Sequence, residues 1–268
     1  MNKNAPIGIF DSGTGGLTVA KAVKALLPNE DMIYFGDTAH LPYGDKSAAT
    51  IQAYSIKITD ILLQRGCKVI LIACNSASAA AFDLIKAYAG SKAMVFNVID
   101  PVIDHLKLTA SGKKVGLIGT LQTVNSNVFQ QKIDDQNIGL QLCALATPLL
   151  APMIEEGFVH NAVSHEVIAN YLGNDLLVDV ESLIMGCTHY PIIKEEIKDY
   201  YKNKVELIDS ANIVARSLEQ HLIAHNLLSD QNKGNDQFLV SDYTPAFEKA
   251  AHLFFNKEIH LEKFPLWE

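Results

Sequence analysis

Short apolar runs alternate with longer amphipathic stretches along most of the chain. Residues 7–10, 32–35, 69–73 and 95–99 are runs of the length typical of strands buried on both faces. Apolar side chains at helical spacing follow these runs, at about residues 17–27, 47–65 and 77–88. This alternation predicts a parallel sheet flanked by helices.

The second half of the chain repeats the pattern of the first. Residues 115–120 (VGLIGT) resemble residues 7–12 (IGIFDS) at an offset of 108 positions (119 − 11). Each half also has an apolar run that ends in a small residue and a cysteine, and Cys74 and Cys187 lie 113 positions apart (187 − 74). Any two α/β units share some likeness, but the matched order and spacing favour two related halves with a cleft between them.

The predicted fold is therefore α/β, with two similar three-layer α/β domains related by a pseudo-two-fold. Their sheets are mainly parallel, and the active site lies in the cleft between the domains. The first domain is predicted to comprise residues 1–98 and 210–268, and the second residues 99–209. Near the end of the chain we expect a strand at 238–240 and a helix at about 245–255.

Composition narrows the possible partners. The chain has 268 residues, is 49% hydrophobic and carries a net charge of -8. Nucleic acids and anionic membranes bind to Lys/Arg patches, so neither is expected as a partner, whereas local donors can still bind a small acidic substrate. No apolar run approaches the length of a bilayer span, and no leader-like segment is seen, so we expect a cytoplasmic protein.

The four cysteines are expected to be free thiols, because a chain of this size does not need disulfides to hold its core. Cys74 and Cys187 follow buried strands and precede polar residues, whereas Cys67 and Cys143 are predicted to be structural. A strand end beside a helix start is expected to lower the pKa of a thiol, and both Cys74 and Cys187 have suitable surroundings; bringing such a pKa to about 7 takes roughly 2 kcal/mol.

His189 lies two positions after Cys187, which would place both side chains on one side of a continuing strand. As metal ligands they are too few, since zinc needs three or four. A Cys–His nucleophile for acyl transfer and a thiol acid/base tuned by histidine both remain open.

Two carboxylates are candidate partners of the thiols. Asp11 begins a glycine-rich turn (residues 11–16), where it is either a helix-start cap or a group that orients a thiol. Glu155 is either a solvated loop residue or a second such partner. A carboxylate near a thiol raises the thiol's pKa and keeps it protonated until a substrate arrives.

Five segments together resemble bacterial glutamate racemases of the aspartate/glutamate racemase superfamily. They are Asp11-Ser12-Gly13-Thr14-Gly15-Gly16, Gly36-Asp37 with Pro42-Tyr43-Gly44, Ala73-Cys74-Asn75-Ser76-Ala77, Gly186-Cys187-Thr188-His189-Tyr190-Pro191 and Ile208-Asp209-Ser210-Ala211. One departure is visible, because Ser76 stands where the family usually has threonine. The hydroxyl is kept and a methyl is lost, so substrate binding should survive with some slack in the pocket.

The resemblance implies racemisation of glutamate by two cysteines, without a cofactor or a metal. The resemblance implies that Cys74 and Cys187 are the acid and base. It also implies that Asp11 assists Cys74, and that Glu155 and His189 assist Cys187. Glu156 is adjacent, so which of the two glutamates acts stays open. D-Glutamate would be supplied for peptidoglycan synthesis, and we expect the chain to act as a homodimer.

Two carboxylates of the substrate must be held by neutral donors, because these motifs contain no Lys or Arg. The residues expected to bind substrate are Asp11, Ser12, Pro42, Tyr43, Gly44, Asn75, Ser76, Thr120, Thr188 and His189. Thr120 is included because it matches Ser12 in the repeat.

Other functions remain as alternatives. A relative of the same superfamily would racemise aspartate or accept acidic amino acids more broadly. A Cys–His hydrolase or transferase would need only Cys187, and a binding module for an acidic amino acid would need neither thiol.

Overall fold

The computed structural model describes residues 2–232, 234–243, 247–248 and 260–267. Its strands are β1 (Ile7–Asp11), β2 (Met32–Gly36), β3 (Val69–Ile72), β4 (Met94–Asn97), β5 (Lys114–Gly119), β6 (Gln141–Ala146), β7 (Ser182–Gly186), β8 (Glu206–Ile208), β9 (Asp236–Val240) and β10 (Leu261–Lys263). Its helices are α1 (Leu17–Leu26), α2 (Ala48–Gln64), α3 (Asn75–Ala89), α4 (Asp100–Thr109), α5 (Leu121–Asn125), α6 (Val128–Asp135), α7 (Leu150–Glu155), α8 (Ala162–Leu172), α9 (Lys194–Tyr200) and α10 (Ser210–Ala224). The helix predicted at 245–255 lies outside the described residues except at Phe247 and Glu248.

The strands form two sheets whose strand pairs are parallel. One sheet has the order β10-β9-β2-β1-β3-β4 and the other β6-β5-β7-β8. The order β2-β1-β3-β4 in the first sheet is repeated as β6-β5-β7-β8 in the second. The predicted α/β fold with two similar halves is thereby confirmed.

Both faces of each sheet are covered, which explains why the central strands read as continuous apolar runs. In β1, Ile7 and Ile9 pack in a cluster with α1 and α10, while Phe10 packs on the opposite face with α2 and α3. In β7, Leu183 packs with α7 and α8, and Ile184 packs with α4 and α6. Each half is therefore a three-layer unit, as predicted.

The helices α4, α5, α6, α7 and α8 have no counterpart among the predicted elements, whereas α9 and α10 match helices that the sequence predicts near residues 192–201 and 211–225. α5 and α6 span five and eight residues, and Asn127 at a φ of 57° separates them, so each is too short to show more than one or two turns of apolar pattern. α8 begins with a capping box between Asn161 and Ser164, a signal that is easily overlooked without a strong apolar stripe behind it. No helix in the described part of the chain is long and apolar enough to cross a membrane.

A buried ion pair fastens the amino-terminal segment to the end of α10. The Lys68 ammonium lies 2.6 Å from Glu30 Oε2, and both side chains are almost fully buried. Lys68 also donates to the carbonyls of Lys3 and Leu227, and Glu30 Oε1 accepts from the Ser229 amide at 2.8 Å. The charge of Lys68 thus depends on Glu30 for its compensation.

We predict that Glu30→Gln lowers the free energy of unfolding by about 3–5 kcal/mol, because it leaves a buried ammonium without a counter-ion. Urea denaturation measures this loss. Glu195→Gln is the matched control, since Glu195 pairs with Lys198 at 2.6 Å on an exposed helix face, and it should cost less than about 0.5 kcal/mol. Equal losses of unfolding free energy in the two variants would show that the buried pair contributes no more to stability than the exposed pair.

Candidate active site

The two halves place their cysteines at equivalent points. β3 and β7 occupy matching positions in the two sheets, and Cys74 and Cys187 follow their carboxyl ends. Cys74 is also the residue that immediately precedes α3. In open parallel sheets this end of the strands is where ligands bind.

Side chains from both halves line one cleft around the two sulfurs. The lining residues are Ser12, Pro42, Tyr43, Gly44, Cys74, Asn75, Ser76, Thr120, Ala151, Glu155, Cys187, Thr188 and His189. The structure therefore brings together every residue that the sequence singled out for this site, with Asp11 just behind the lining. Ala151 was not predicted, because a single alanine at the start of a short helix gives no chemical signal.

The cleft is nearly closed, with a cavity volume of about 20 Å³, which is space for about one water molecule. Hydrogen bonds between the halves hold it shut: the Ser76 and Thr120 hydroxyls are 2.8 Å apart, and the Thr188 hydroxyl donates to Asp11 Oδ1 at 3.4 Å. This space is smaller than an amino acid, so the cleft must widen before one can enter.

The pKa of the Cys74 thiol is raised to about 12. Burial is the largest cause, and the nearby Asp11 carboxylate adds to it. The Ala77 amide and the Ser12 hydroxyl, which is 3.8 Å from the sulfur, act in the opposite direction but are outweighed. The expectation that the helix start would give Cys74 a low pKa is thus wrong, whereas the expectation that a carboxylate keeps it protonated agrees with the structure.

Asp11 is itself fully buried, which raises the pKa of its carboxyl group, although His189 opposes this rise. Its Oδ2 accepts from the Gly13 amide at 2.9 Å. Asp11 therefore serves both as a cap for the turn and as a charge beside Cys74, so the two readings of this residue are compatible.

A histidine and a glutamate adjoin the second cysteine. Cys187 Sγ is 3.6 Å from His189 Nδ1, and His189 Nε2 is 3.0 Å from Glu155 Oε1. Burial acts to lower the pKa of His189, but Cys187 and Glu155 raise it well above its usual value. His189 thus lies between a sulfur and a carboxylate that both favour its protonated form, and Glu156, which is exposed, takes no part in this contact.

Cys187 and His189 meet for a different reason from the one expected. β7 ends at Gly186, and a short 3-10 turn (Tyr190–Ile193) begins directly after His189. The two side chains converge across this bend and not along one face of a continuing strand.

Glycine-rich segments let the backbone approach the site closely. A Cβ on Gly15 would lie 2.5 Å from the Thr188 hydroxyl and 2.6 Å from His189 Nδ1. A Cβ on Gly186 would lie 2.8 Å from the Ile118 carbonyl oxygen. The glycine-rich turn, a weak signal in the sequence, is thus required for contact between the halves.

One buried polar group in the cleft lacks a partner. Among the described residues, nothing accepts a hydrogen bond from Asn75 Nδ2, although Asn75 is almost fully buried. Buried donors without partners are rare, so this one is available to a ligand. Within the same described part of the chain, no group of three or more His, Cys, Asp or Glu side chains is arranged to hold a metal ion.

The fold and the site define a two-half α/β enzyme with a thiol from each half in one cleft. A sequence profile described as Asp/Glu/Hydantoin racemase matches residues 17–218. The chain belongs to this racemase family, so the prediction of an isomerase of the aspartate/glutamate racemase superfamily is confirmed.

Its relatives include named glutamate racemases. The chain is 38% identical over 260 residues to glutamate racemase from Chlorobaculum parvum, covering 97% of this chain and 95% of the relative. The crystal structure of glutamate racemase from Francisella tularensis in complex with D-glutamate matches with a TM-score of 0.92 at 37% identity, over 99% of both chains. An aspartate racemase homologue from Pyrococcus horikoshii is 19% identical with a TM-score of 0.58, which covers 81% of this chain and 98% of that one and shows a common fold only.

We predict that Asp11→Asn lowers the pKa of Cys74, because it removes the carboxylate charge that opposes the thiolate. Alkylation of Cys74 by iodoacetamide at mildly alkaline pH, followed by mass spectrometry, should then be faster than in the unmodified protein. Cys143 serves as an internal control, since it lies in β6 and does not line the cleft. An unchanged rate at Cys74 would show that Asp11 does not control this thiol.

Proposed function

We propose that this protein is a glutamate racemase that interconverts L- and D-glutamate by proton transfer through Cys74 and Cys187. The observation that carries the proposal is the position of the two thiols, which line one cleft from equivalent strand ends of two similar halves. Inversion of a carbon by proton transfer needs an acid and a base on opposite faces of that carbon, and this arrangement supplies them. The names of the relatives point to the same substrate.

The two thiols have different neighbours, which suits them to different tasks in this proposal. Cys74 holds its proton because of burial and Asp11. A cationic His189 beside Cys187 favours negative charge on that sulfur. Cys187 then takes the α-proton, so that the Cα–H bond breaks and an S–H bond forms, while Cys74 delivers its proton to the other face of Cα. In the reverse direction the roles exchange.

Neutral groups bind the two substrate carboxylates in this proposal. The cleft is lined by Ser12, Tyr43, Gly44, Asn75, Ser76, Thr120 and Thr188. Their hydroxyls, the Asn75 amide and the backbone N–H groups of Tyr43 and Gly44 are the proposed donors. Asn75 Nδ2 is the strongest candidate, since it has no other partner among the described residues. Donors fixed before the reaction stabilise the carbanion-like transition state more effectively than water that must reorient.

The alternatives explain fewer of these features. A Cys–His hydrolase or transferase would use the Cys187–His189 contact, but Cys74 and Asp11 would have no role in its reaction. A binding module would need neither thiol. Aspartate or broader specificity within the same chemistry is less well supported, because the named aspartate racemase homologue is far more distant than the glutamate racemases.

We propose five further points. The domains comprise residues 1–98 with 210–268, and residues 99–209, which places one sheet in each. The protein works in the cytoplasm, forms a homodimer and supplies D-glutamate for peptidoglycan. The lost methyl at Ser76 leaves slack in the pocket without removing the hydroxyl.

We predict that Cys74→Ser and Cys187→Ser each reduce racemisation of L-glutamate at least about a hundredfold, because a serine hydroxyl is a far weaker acid than a thiol. Circular dichroism follows the loss of optical activity of L-glutamate without added cofactor. L-Aspartate is tested in the same way as the alternative substrate. Calorimetry should show that both variants still bind glutamate.

The matched control is Cys143→Ser, which changes a thiol outside the cleft and should leave turnover unchanged. Full turnover by Cys74→Ser would reject the two-thiol mechanism. Faster racemisation of aspartate than of glutamate by the unmodified protein would reject the assigned substrate.

A further inference from the structure

Asp37 lies directly after β2 and is a fully buried carboxylate outside the cleft lining. Three side chains surround it. The Tyr43 hydroxyl donates to Oδ2 at 2.5 Å, the Ser241 hydroxyl donates to Oδ1 at 2.7 Å, and His40 Nδ1 lies 2.7 Å from Oδ1. No step of the proposed reaction uses Asp37, so this concentration of buried contacts needs another explanation.

Tyr43 connects Asp37 to the cleft. Its side chain is buried in the core of the first half, where it packs in the same cluster as Phe35 and Cys74, while Pro42, Tyr43 and Gly44 line the cleft. The Tyr43 hydroxyl therefore ties residues 42–44 to Asp37, and Gly44, which has no side chain, lines the cleft with its backbone.

Residues 42–44 have little room to move. A Cβ on Gly44 would lie 2.8 Å from the side chain of Thr120, which belongs to the other half. A small shift of Gly44 would thus either open a gap at this contact or collide with Thr120. The anchor behind Gly44 has to be rigid for the backbone to meet a substrate carboxylate.

The same carboxylate also connects the loop to the end of β9. The Ser241 hydroxyl accepts from the Ala39 amide at 2.9 Å while it donates to Asp37. His40 stacks on Tyr54 of α2 with ring centroids 4.3 Å apart. Residues 37–44 are consequently fixed at Ala39, His40 and Tyr43, and each of these contacts leads to Asp37 or to one of its partners.

We propose that Asp37 is a positioning residue for substrate binding: through the Tyr43 hydroxyl it sets the backbone of Tyr43 and Gly44 against a carboxylate of the substrate. This inference rests on the proposed racemase function, since it assigns those backbone groups to a glutamate carboxylate. Asp37 does not touch the reacting carbon, so its effect is on binding and not on the proton transfers.

The substitution Asp37→Asn disrupts these hydrogen bonds with little change in side-chain volume. Three donors point at the two carboxylate oxygens, and an amide offers only one oxygen as an acceptor. The NH₂ group of the new amide then faces one of the donors that contacted the carboxylate. Two donors cannot form a hydrogen bond with each other, so residues 42–44 must shift. An interaction that binds ground state and transition state alike affects KM and leaves kcat largely unchanged.

The test compares Asp37→Asn, Tyr43→Phe and the double variant in racemisation of L-glutamate, with calorimetric Kd values for L-glutamate alongside. Each single variant should raise KM and Kd roughly ten- to hundredfold, as expected for loss of a hydrogen bond to a charged group, with a much smaller change in kcat. The double variant should be no worse than the more severe single variant, because both substitutions break the same link.

A matched pair of controls lies on the surface of the same half. Tyr88 donates its hydroxyl to Asp60 at 2.9 Å, outside the cleft lining. Asp60→Asn and Tyr88→Phe remove the same kind of contact and should leave KM and Kd unchanged.

Unchanged KM and Kd in Tyr43→Phe would overturn the proposal, and so would independent, multiplying effects in the double variant. A purely structural role would lower the thermal midpoint and the amount of active protein without moving KM. If Asp37→Asn does not fold, the result for Tyr43→Phe decides alone. Absence of racemisation by the unmodified protein would instead reject the proposed function. The Kd values of the variants for L-glutamate would still show whether Asp37 affects substrate binding.

Discussion

Removal of the Cys74 sulfur from water is the constraint on which the candidate site depends. Burial disfavours the thiolate, and the buried Asp11 carboxylate disfavours it further, so this sulfur is held as an acid. The second sulfur is equally buried but has His189 and Glu155 beside it. The same buried cleft thus gives two chemically identical side chains different electrostatic neighbours: a carboxylate beside Cys74, and a histidine paired with a carboxylate beside Cys187.

Close contact between the two halves is what makes such burial possible. Gly15 and Gly44 have no side chain where the other half approaches, and a Cβ at either position would collide with Thr188 or Thr120. The hydrogen bond between the Ser76 and Thr120 hydroxyls also joins the two halves, and it involves no charged group. These contacts, together with the hydrogen bond from the Thr188 hydroxyl to Asp11, keep water away from the two sulfurs.

Much of the architecture was predictable, since it follows from local patterns. Continuous apolar runs identified the central strands, and the offset between Cys74 and Cys187 identified the repeat that the two sheets display. The short helices α5 and α6 were missed, because five to eight residues carry too little periodicity. Long-range contacts were likewise invisible: nothing local shows that Glu155, and not Glu156, reaches His189.

Electrostatics gave the clearest disagreement between sequence and structure. A helix start beside Cys74 suggested a lowered pKa, and the Ala77 amide does act in that direction. The size of the opposing burial depends on how tightly the halves close, which no local pattern encodes. Asp37 illustrates the same limit, since its partners Tyr43 and Ser241 are brought to it from different parts of the chain.

The central claim is that two thiols act on opposite faces of one carbon, and the source of the incoming hydrogen tests it most directly. L-Glutamate is converted in deuterated water, and the α-position of product and remaining substrate is examined by NMR before much has reacted. The account predicts that the D-glutamate formed carries solvent deuterium while the remaining L-glutamate keeps its original hydrogen. D-Glutamate that retains the original hydrogen would show that a single group removes and returns the proton, which would contradict the account.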